Sequence, residues 1–368
     1  MRTRILGIDT SCDDTAVAVV EDGRRILSSV IMSQTGLHAE HGGVVPEVAG
    51  RRHLEEMRPA VTRALAEASL TLSEIDVVAA TVGPGLAGSL MVGYNLGRAL
   101  ALGRAVPFVP VNHLEGHIYS AWLTPPDTTP AAAPEFPVLV LIVSGGHTEL
   151  VLMTGHGAYR RLGGTRDDAA GEAFDKAGRL LGLDYPGGPA IARAAAELPP
   201  GQVPTTLPRA WLRGTRDFSF SGLKTAVLHL VQQSQGQGQD RTHGGRGHAT
   251  DRTAAPEPAL SLQPLDVRAV AAGFQESVAD VLATKTAAAA AEFDVRAVVL
   301  CGGVAANTVI RTRLRTVLPP DTVLYVPPLS LCTDNGAMIA AAAYYRPDTA
   351  VAPAAGPEVD PGLALPLD

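Results

Sequence analysis

The sequence is poor in cysteine and in aromatic residues. Its 368 residues include three cysteines, Cys12, Cys301 and Cys332, and none belongs to a CxxC pair. This usage excludes a disulfide framework and a four-cysteine zinc site, and it is typical of a reducing compartment. Aromatic residues make up only 4% of the chain, so much of the apolar content is alanine, which packs tightly but buries little area per residue.

Long apolar runs are also absent. No stretch approaches the roughly 20 apolar residues of a membrane helix, and acidic residues follow the first methionine too soon for a signal peptide. These absences exclude the secreted and membrane classes. We therefore expect a cytoplasmic protein that has no membrane partner.

Positive charge is not in excess either. Lysine and arginine number 30 against 37 aspartates and glutamates, a formal net charge of −7. This balance argues against a chain coated with positive charge for nucleic-acid binding, but it leaves room for a local basic patch. Apolar residues make up 46% of the chain. At roughly 150 residues per domain, the length predicts two domains, each with a full core.

Two pairs of matching segments indicate an internal duplication. Residues 4–20 and 137–153 each read as a strand, a small polar turn and a second strand. Residues 76–102 and 296–317 each read as a strand, a glycine loop and a helix. The repeated order predicts a duplicated α/β fold, with a ligand in the cleft between the halves. Helices are predicted at 51–68, 88–103, 113–122, 168–181, 188–197, 266–292, 305–317 and 334–345.

The strongest local signal is the segment Asn112-His113-Leu114-Glu115-Gly116-His117. Asn112 can cap a helix, which places His113 and His117 one turn apart on one face, where two imidazoles can bind one metal ion. The alternative is a pair of partly buried, hydrogen-bonded histidines. Glu115 lies about 200° round the helix from His113, so the zinc-protease arrangement, which needs glutamate directly after the first histidine, does not fit.

A metal held by two histidines needs another ligand, and four aspartates in loops are candidates: Asp9, Asp13, Asp14 and Asp334. Asp334 precedes the C-terminal helix in Cys332-Thr333-Asp334-Asn335-Gly336, so the alternative interpretation is a helix N-cap.

Glycine turns supply candidate phosphate sites. The turn after the strand at residues 137–143, Ser144-Gly145-Gly146-His147-Thr148, exposes backbone N–H groups, and Gly302-Gly303 opens a helix. Tight hairpins need glycine in any case, which is the alternative. Asp175 precedes the glycine turn at 185–189 and could hold hydroxyl or amide groups, or simply belong to a solvated face.

The motifs together resemble those of one family, the TsaD family of tRNA N6-adenosine threonylcarbamoyltransferases, formerly called O-sialoglycoprotein endopeptidases. The resemblance covers about residues 3 to 345. In chain order the motifs are GIDTSCDDT, HAEHGGVVPEVAGRRH, GPGLAGSLMVG, NHLEGH, LIVSGGHTEL, DDAAGEAFDKAGRLLGLDYPGG, FSFSGLKTAV, CGGVAANTVIR and CTDNGAMIA.

The resemblance implies an α/β fold of two actin-like (ASKHA or RNase H-like) lobes from a duplication, with the active site in the cleft between them. The first lobe would span 1–134, completed by a helix at 336–346, and the second 135–335. Composition predicts that two segments outside these lobes are disordered, an insertion at 232–258 and a tail at 347–368.

The resemblance also implies the site residues. His113, His117 and Asp334 would hold one divalent metal ion per subunit, Fe²⁺ in the first place and Zn²⁺ as the alternative. Asp14 would lie near the metal, with a catalytic role. The donor, threonylcarbamoyl-AMP, would be bound by Ile142, Val143, Ser144, Gly145, Gly146, Asp175, Gly188 and Asn307.

The sequence departs from the family pattern at four places. Asp9 and Asp14 are often glutamate in bacterial relatives, and one methylene fewer withdraws each carboxylate by about 1.5 Å. Ala192 stands where many relatives have aspartate, which removes one contact to the donor. Ile142 replaces a tyrosine that is a metal ligand in archaeal relatives.

The implied reaction is metal-assisted transfer of a threonylcarbamoyl group to N6 of adenosine 37 in tRNAs that read codons starting with A. The implied partners in a bacterial complex are the shorter paralogue TsaB and the ATPase TsaE. Two alternatives remain. One is an actin-like ATPase or sugar kinase, which gives the histidine pair no role, and the other is a non-catalytic scaffold within a complex.

Overall fold

The computed structural model describes residues 2–126, 128–129, 132–235 and 265–367. Two five-stranded sheets form the framework, and the first is built in the N-terminal part of the chain. It has the strand order β3-β2-β1-β4-β5. Its strands are β1 (Arg4–Asp9), β2 (Asp14–Glu21), β3 (Arg25–Ser33), β4 (Val77–Gly83) and β5 (Phe108–Asn112).

The second sheet repeats the first. Its order, β8-β7-β6-β9-β10, matches strand for strand. In both sheets the first three strands in the chain form an antiparallel meander, and the last two pair in parallel beside it. The predicted duplication and the predicted fold of two actin-like lobes are therefore confirmed. Its strands are β6 (Val138–Val143), β7 (Thr148–Gly155), β8 (Ala158–Gly164), β9 (Ala297–Cys301) and β10 (Val323–Tyr325).

Helices cover both faces of each sheet, which explains why the central strands read as continuous apolar runs. Within the described residues, no helix is both long and apolar enough to span a lipid bilayer. The helices are α1 (Thr35–Ala39), α2 (Pro46–Glu67), α3 (Ala87–Arg104), α4 (His113–Tyr119), α5 (Ala170–Leu180), α6 (Gly187–Ala196), α7 (Ser221–Ser234), α8 (Val267–Glu292), α9 (Thr308–Val317), α10 (Leu329–Cys332) and α11 (Gly336–Tyr345).

Three hydrophobic clusters make up the core. One packs α2 and α3 on the outer face of the first sheet, and another packs α5, α6 and α8 on the outer face of the second. The third joins the inner faces of both sheets around α4 and α11. These two helices are thus the elements that link the lobes, and α4 is the helix predicted from the histidine pair.

The eight predicted helices form, with ends that differ from the predicted ones by a few residues. The helix α7 was not predicted. It includes residues 232–234, the first part of the insertion predicted to be disordered at 232–258, so that boundary was wrong. Residues 236–258 lie outside the described residues.

The prediction of a disordered tail at 347–368 was wrong for residues 347–367. They run along the first lobe, where Val351 bridges to Phe108 and Leu365 is buried. Composition misled here because the tail is held largely through its backbone carbonyls. Tyr94 donates its hydroxyl to the carbonyl of Pro357 at 2.5 Å, and other side chains of the first lobe do the same.

Candidate functional site

The helix α4 begins where β5 ends, and Asn112 sets its start. The Asn112 Oδ1 atom accepts hydrogen bonds from the N–H groups of Leu114 at 2.8 Å and Glu115 at 3.4 Å, so the predicted cap is confirmed. His113 and His117 then lie on one face, both buried, with ring centroids 4.7 Å apart.

Asp334 meets the two histidines. Its neighbour Asn335 is the cap of α11, accepting from the N–H of Met338 at 2.9 Å, so the alternative interpretation of Asp334 as that cap is wrong. Asp334 Oδ1 lies 3.5 Å from His113 Nε2 and 3.3 Å from His117 Nε2. The candidate ligand atoms of the three side chains all lie within 4.8 Å of one another.

This cluster fits a divalent metal ion. Ligand bonds near 2 Å place the ligand atoms of one ion roughly 3 to 4 Å apart. The Nε2 atoms of both histidines face Asp334 Oδ1. The Nδ1 atom of His113 lies 3.5 Å from Asp9 Oδ2, and a carboxylate at the second ring nitrogen is usual for a histidine that binds a metal. Two imidazoles and one carboxylate are a donor set that Fe²⁺ and Zn²⁺ both accept.

The charges of the cluster stabilise one another. Burial lowers the pKa of His113, but the negative charges of Asp334 and Asp9 outweigh it and raise that pKa to about 9. Burial would raise the pKa of Asp334, yet the neighbouring His113 and His117 hold it well below its usual value. Asp9 is itself held by Thr81, whose hydroxyl donates to Asp9 Oδ1 at 2.7 Å.

Asp14, the first residue of β2, faces the interior between the lobes. Side chains alternate along a strand, and the next residue, Thr15, faces α2, where its hydroxyl lies 2.7 Å from His53 Nδ1. One carboxylate oxygen of Asp14 is buried without a hydrogen-bond partner in the described chain. Burial raises the pKa of Asp14 to about 7, partly opposed by a hydrogen bond from Ser33.

A cavity of about 540 Å³ lies beside the cluster, and its lining includes Thr333, the neighbour of Asp334. Four of the residues predicted to bind the donor line it: Gly145, Asp175, Gly188 and Asn307. A Cβ atom added at Gly145 or Gly188 would meet nothing within 4 Å. Since packing does not require glycine at these two positions, we interpret them as space left for a ligand.

The polar lining residues of the cavity are already oriented by the backbone. Asp175 Oδ1 accepts from the N–H of Gly187 at 2.8 Å, and burial raises its pKa. Asn307 Oδ1 caps α9 through the N–H of Val309 at 2.9 Å. The backbone N–H of Asn307 bonds to the carbonyl of Val304 at 3.0 Å, and its Nδ2 atom donates to Gln275 Oε1 at 3.3 Å. The remaining lone pairs and the second amide hydrogen of Asn307 are what the two side chains can offer a ligand.

The turn after β6 contributes backbone groups rather than side chains. Ile142 and Val143 are fully buried in the cores on opposite faces of the sheet, outside the cavity lining. The N–H of Ser144 bonds to the carbonyl of His147 at 2.8 Å. Those of Gly145 and Gly146 have no acceptor within the described residues, so they are the donors that remain for a ligand.

Reasoning from sequence missed other residues of the cavity wall. Arg193 and Leu329 line it, and neither stood in a recognisable motif. Arg193 adjoins Ala192, where a departure from the family pattern was noted. Leu329 starts the short helix α10. Its side chain is exposed in the folded chain, which the sequence pattern does not predict.

Comparison with known proteins gives one consistent result. A model of the TsaD family, described as tRNA N6-adenosine threonylcarbamoyltransferase, matches residues 25–341. A protein of that name from Thermomicrobium roseum is 56% identical over 341 residues, which cover 93% of this chain and 91% of the relative. Another, from Dehalococcoides mccartyi, is 50% identical over 345 residues, which cover 93% of each chain.

The solved structure of HypF from T. kodakarensis is similar in fold. It superposes with a TM-score of 0.53 at 15% identity, over 93% of this chain and 47% of that one. At that identity the likeness concerns the fold alone, and it agrees with the duplicated two-sheet architecture.

Proposed function

The chain belongs to the TsaD family of tRNA N6-adenosine threonylcarbamoyltransferases, and we propose that the cleft around α4 is where it transfers the threonylcarbamoyl group. The donor is threonylcarbamoyl-AMP and the acceptor is N6 of adenosine 37 in tRNAs that read codons starting with A. The observation that carries the proposal is the meeting of His113, His117 and Asp334 beside a cavity of about 540 Å³.

His113, His117 and Asp334 hold one divalent metal ion, Fe²⁺ or Zn²⁺, in this proposal. An ion held by these residues would supply Lewis acidity for a carbonyl or phosphoryl oxygen of the donor. Such help suits this reaction because the lone pair of the adenine amine is delocalised into the purine. The chain contributes an arrangement of ligands that is buried and already assembled.

The nucleotide part of the donor occupies the neighbouring cavity. The N–H groups of Gly145 and Gly146, which have no acceptor in the described part of the chain, are suited to the charge that develops on the leaving phosphate. Asp175 accepts from ribose hydroxyls with the lone pairs that Gly187 leaves free. Gly188 and the backbone of Asn307 border the same space, and Ile142, Val143 and Ser144 place the glycine turn.

Asp14 accepts the proton that the amine loses. Its pKa of about 7 places it close to the pH at which a general base combines availability with basicity. Its buried oxygen, which has no partner among the residues that the structure describes, can accept a hydrogen bond from substrate or water. The leaving phosphate is the competing acceptor, and the two are separated by the behaviour of an Asp14 variant described below.

We place the chain in the cytoplasm, working with the paralogue TsaB and the ATPase TsaE. The support is the three free cysteines and the net charge of −7, since an acidic protein that must bind tRNA gains from partners that supply positive surface. An ATPase or sugar kinase is not favoured, because the relatives carry the transferase name.

The test is the double variant His113→Ala/His117→Ala. We expect it to lose its bound metal and its ability to modify tRNA together, because both imidazoles are removed. Metal content is measured by mass spectrometry of the purified protein, and threonylcarbamoyladenosine by nucleoside mass spectrometry of the product tRNA.

A matched control is His41→Ala, which removes an exposed histidine and should change neither quantity. Full tRNA modification by a metal-free double variant would contradict the proposed role of the metal.

A further inference from the structure

Glu115 is buried on the side of α4 that faces away from His113 and His117. Its side chain is 7% exposed. The Oε1 atom accepts a hydrogen bond from the hydroxyl of Tyr159 at 2.9 Å and pairs with the guanidinium of Arg346. A buried carboxylate with two such partners is bound firmly, because removing either one leaves polar groups uncompensated.

The two partners of Glu115 come from different parts of the molecule. Tyr159 belongs to β8 of the second sheet, and Arg346 directly follows α11. Glu115 therefore connects the metal-binding helix to the second lobe and to the C-terminal helix at one point.

Its link to Arg346 joins the two segments that carry all three metal ligands. The helix α4 carries His113 and His117, and α11 starts two residues after Asp334. Ten helical residues span about 15 Å, so Asp334 and Arg346 stand at opposite ends of α11. One end meets α4 through the histidines and the other meets it through Glu115.

The guanidinium of Arg346 is itself confined. Asp348 accepts from its Nε and Nη2 atoms at 3.3 Å each. The hairpin turn between β7 and β8 packs against it so closely that a Cβ atom at Gly157 would lie 2.6 Å from Arg346 Nε. The side chain is only 14% exposed, so Arg346 is a fixed anchor rather than a flexible surface residue.

The helix α4 needs such anchors. It has seven residues, too few for a helix to be stable by itself in water, so contacts with its surroundings determine its position. A small rotation of so short a helix would move both imidazoles relative to Asp334.

We propose that Glu115 is a positioning residue for the metal centre, which acts through Arg346 and Tyr159 to hold α4 and α11 in the register that brings the histidines to Asp334. This inference rests on the proposed metal site. It predicts that the Glu115–Arg346 pair affects metal affinity separately from its effect on stability.

Two variants separate positioning from stability. Glu115→Gln keeps an acceptor for Tyr159 but leaves the buried Arg346 with only the exposed carboxylate of Asp348 as a charged partner, so it should lower both the melting temperature and the affinity. The double variant Glu115→Gln/Arg346→Met removes both charges and should recover much of the lost stability, because no lone buried charge remains. The metal affinity of the double variant should stay low, since the contact between Glu115 and Arg346 is still absent.

Affinity is measured for Zn²⁺, which has no redox chemistry, by competition with a chelator well below the melting temperature. We expect both variants to bind Zn²⁺ about tenfold more weakly than the wild type, the size of effect seen when residues that orient metal ligands are replaced. Tyr159→Phe, which removes one hydroxyl and keeps the ring, should weaken binding by a smaller factor. Arg209→Met is the control, because it breaks a partly buried pair with Asp280 within the second lobe, and it should change Zn²⁺ affinity less than twofold.

The outcomes are distinguishable. Wild-type affinity in the double variant, or an affinity that merely follows the melting temperature across all variants, would overturn the positioning role and leave the proposed metal site intact. If the wild type binds Zn²⁺ no better than His113→Ala/His117→Ala, the proposed metal site fails, and the positioning role fails with it.

Discussion

Two neighbouring residues at the start of α11 have separate tasks. Asn335 caps the helix, and Asp334 is thereby left to face His113 and His117. Aspartate and asparagine are both good caps, so sequence spacing alone cannot assign the tasks. The assignment follows from the third partner, the histidine pair on α4, which only the folded chain brings near.

A first prediction concerns Asp14. Asp14→Asn cannot accept a proton, so we expect kcat to fall about a hundredfold, at the lower end of what general base catalysis contributes. Wild-type activity should rise as pH increases through about 7, because the carboxylate form predominates above its pKa. The variant should lack this rise. Single-turnover rates with preformed threonylcarbamoyl-AMP at several pH values measure both effects.

The neighbouring Ser33 offers a control for the direction in which the pH profile should move. Its hydrogen bond lowers the pKa of Asp14, so Ser33→Ala should move the rise in activity to higher pH while leaving the maximum rate nearly unchanged. If Asp14→Asn keeps the wild-type pH profile, the leaving phosphate is the proton acceptor instead.

Gly188, which lines the cavity, and its neighbour Gly187 should respond to substitution in opposite ways. A Cβ atom at Gly188 would meet nothing within 4 Å, whereas one at Gly187 would lie 2.5 Å from Asp175 Cα. Gly188→Ala should therefore fold at least as well as the wild type, since alanine favours a helix. We expect it to raise the KM for the donor about tenfold, the usual effect of one extra methyl group in a pocket.

Gly187→Ala should behave differently because the clash is with backbone. Overpacking of this kind costs about 1–3 kcal/mol, so its melting temperature should fall. An unchanged donor KM in Gly188→Ala would show that the donor lies elsewhere.

At the scale of elements, the C-terminal segment supports α4. The amide of Asn112 donates from Nδ2 to the carbonyl of Ala364 at 2.9 Å, which directs its Oδ1 atom at the N-terminus of α4. The N–H of Asp360 bonds to the carbonyl of Val82 at 2.9 Å, and Leu365 is buried between the lobes. The segment thus holds the end of β4 and the cap of α4.

Deleting residues 363–368 tests this support. The deletion removes the buried Leu365 and the hydrogen bonds made by Leu363 and Ala364, so we expect the free energy of unfolding to fall by about 2–4 kcal/mol. Urea unfolding followed by circular dichroism measures the change. Leu367→Ala is a control, because that side chain is exposed. A midpoint equal to that of the full chain would show that the segment contributes no stability.

Element order could be predicted from the sequence, and long-range contacts could not. The hairpins and most helices follow from apolar periodicity, and α4 follows from Asn112 and the spacing of His113 and His117. The helix α7 was missed because only Leu223 and Val227 on it are buried, which gives a weak period. The tail was missed because backbone carbonyls, which every sequence has, make most of its contacts.

At the scale of the whole molecule, the duplication produces the site. Parallel strands of both sheets end at the cleft, where the linking helices α4 and α11 bring His113 and His117 close to Asp334. The sequence predicted the cleft from the repeat and the metal from the histidines. The link through Glu115 to the second lobe could not be predicted, because Tyr159 and Arg346 carry no motif.

The net charge of −7 makes a prediction for tRNA binding. Each phosphate that a protein neutralises releases counterions, so the logarithm of the binding constant falls with the logarithm of salt concentration in proportion to the number of contacts. An acidic chain with local basic groups should neutralise few phosphates, and we expect a slope of roughly −2 for the chain alone. The complex with TsaB and TsaE should show a clearly steeper slope, because the partners add positive surface. Fluorescence anisotropy of a labelled anticodon stem-loop, titrated between about 50 and 200 mM KCl, measures both slopes. Equal slopes would mean that this chain alone supplies the whole electrostatic contact with tRNA and that its partners act by other means.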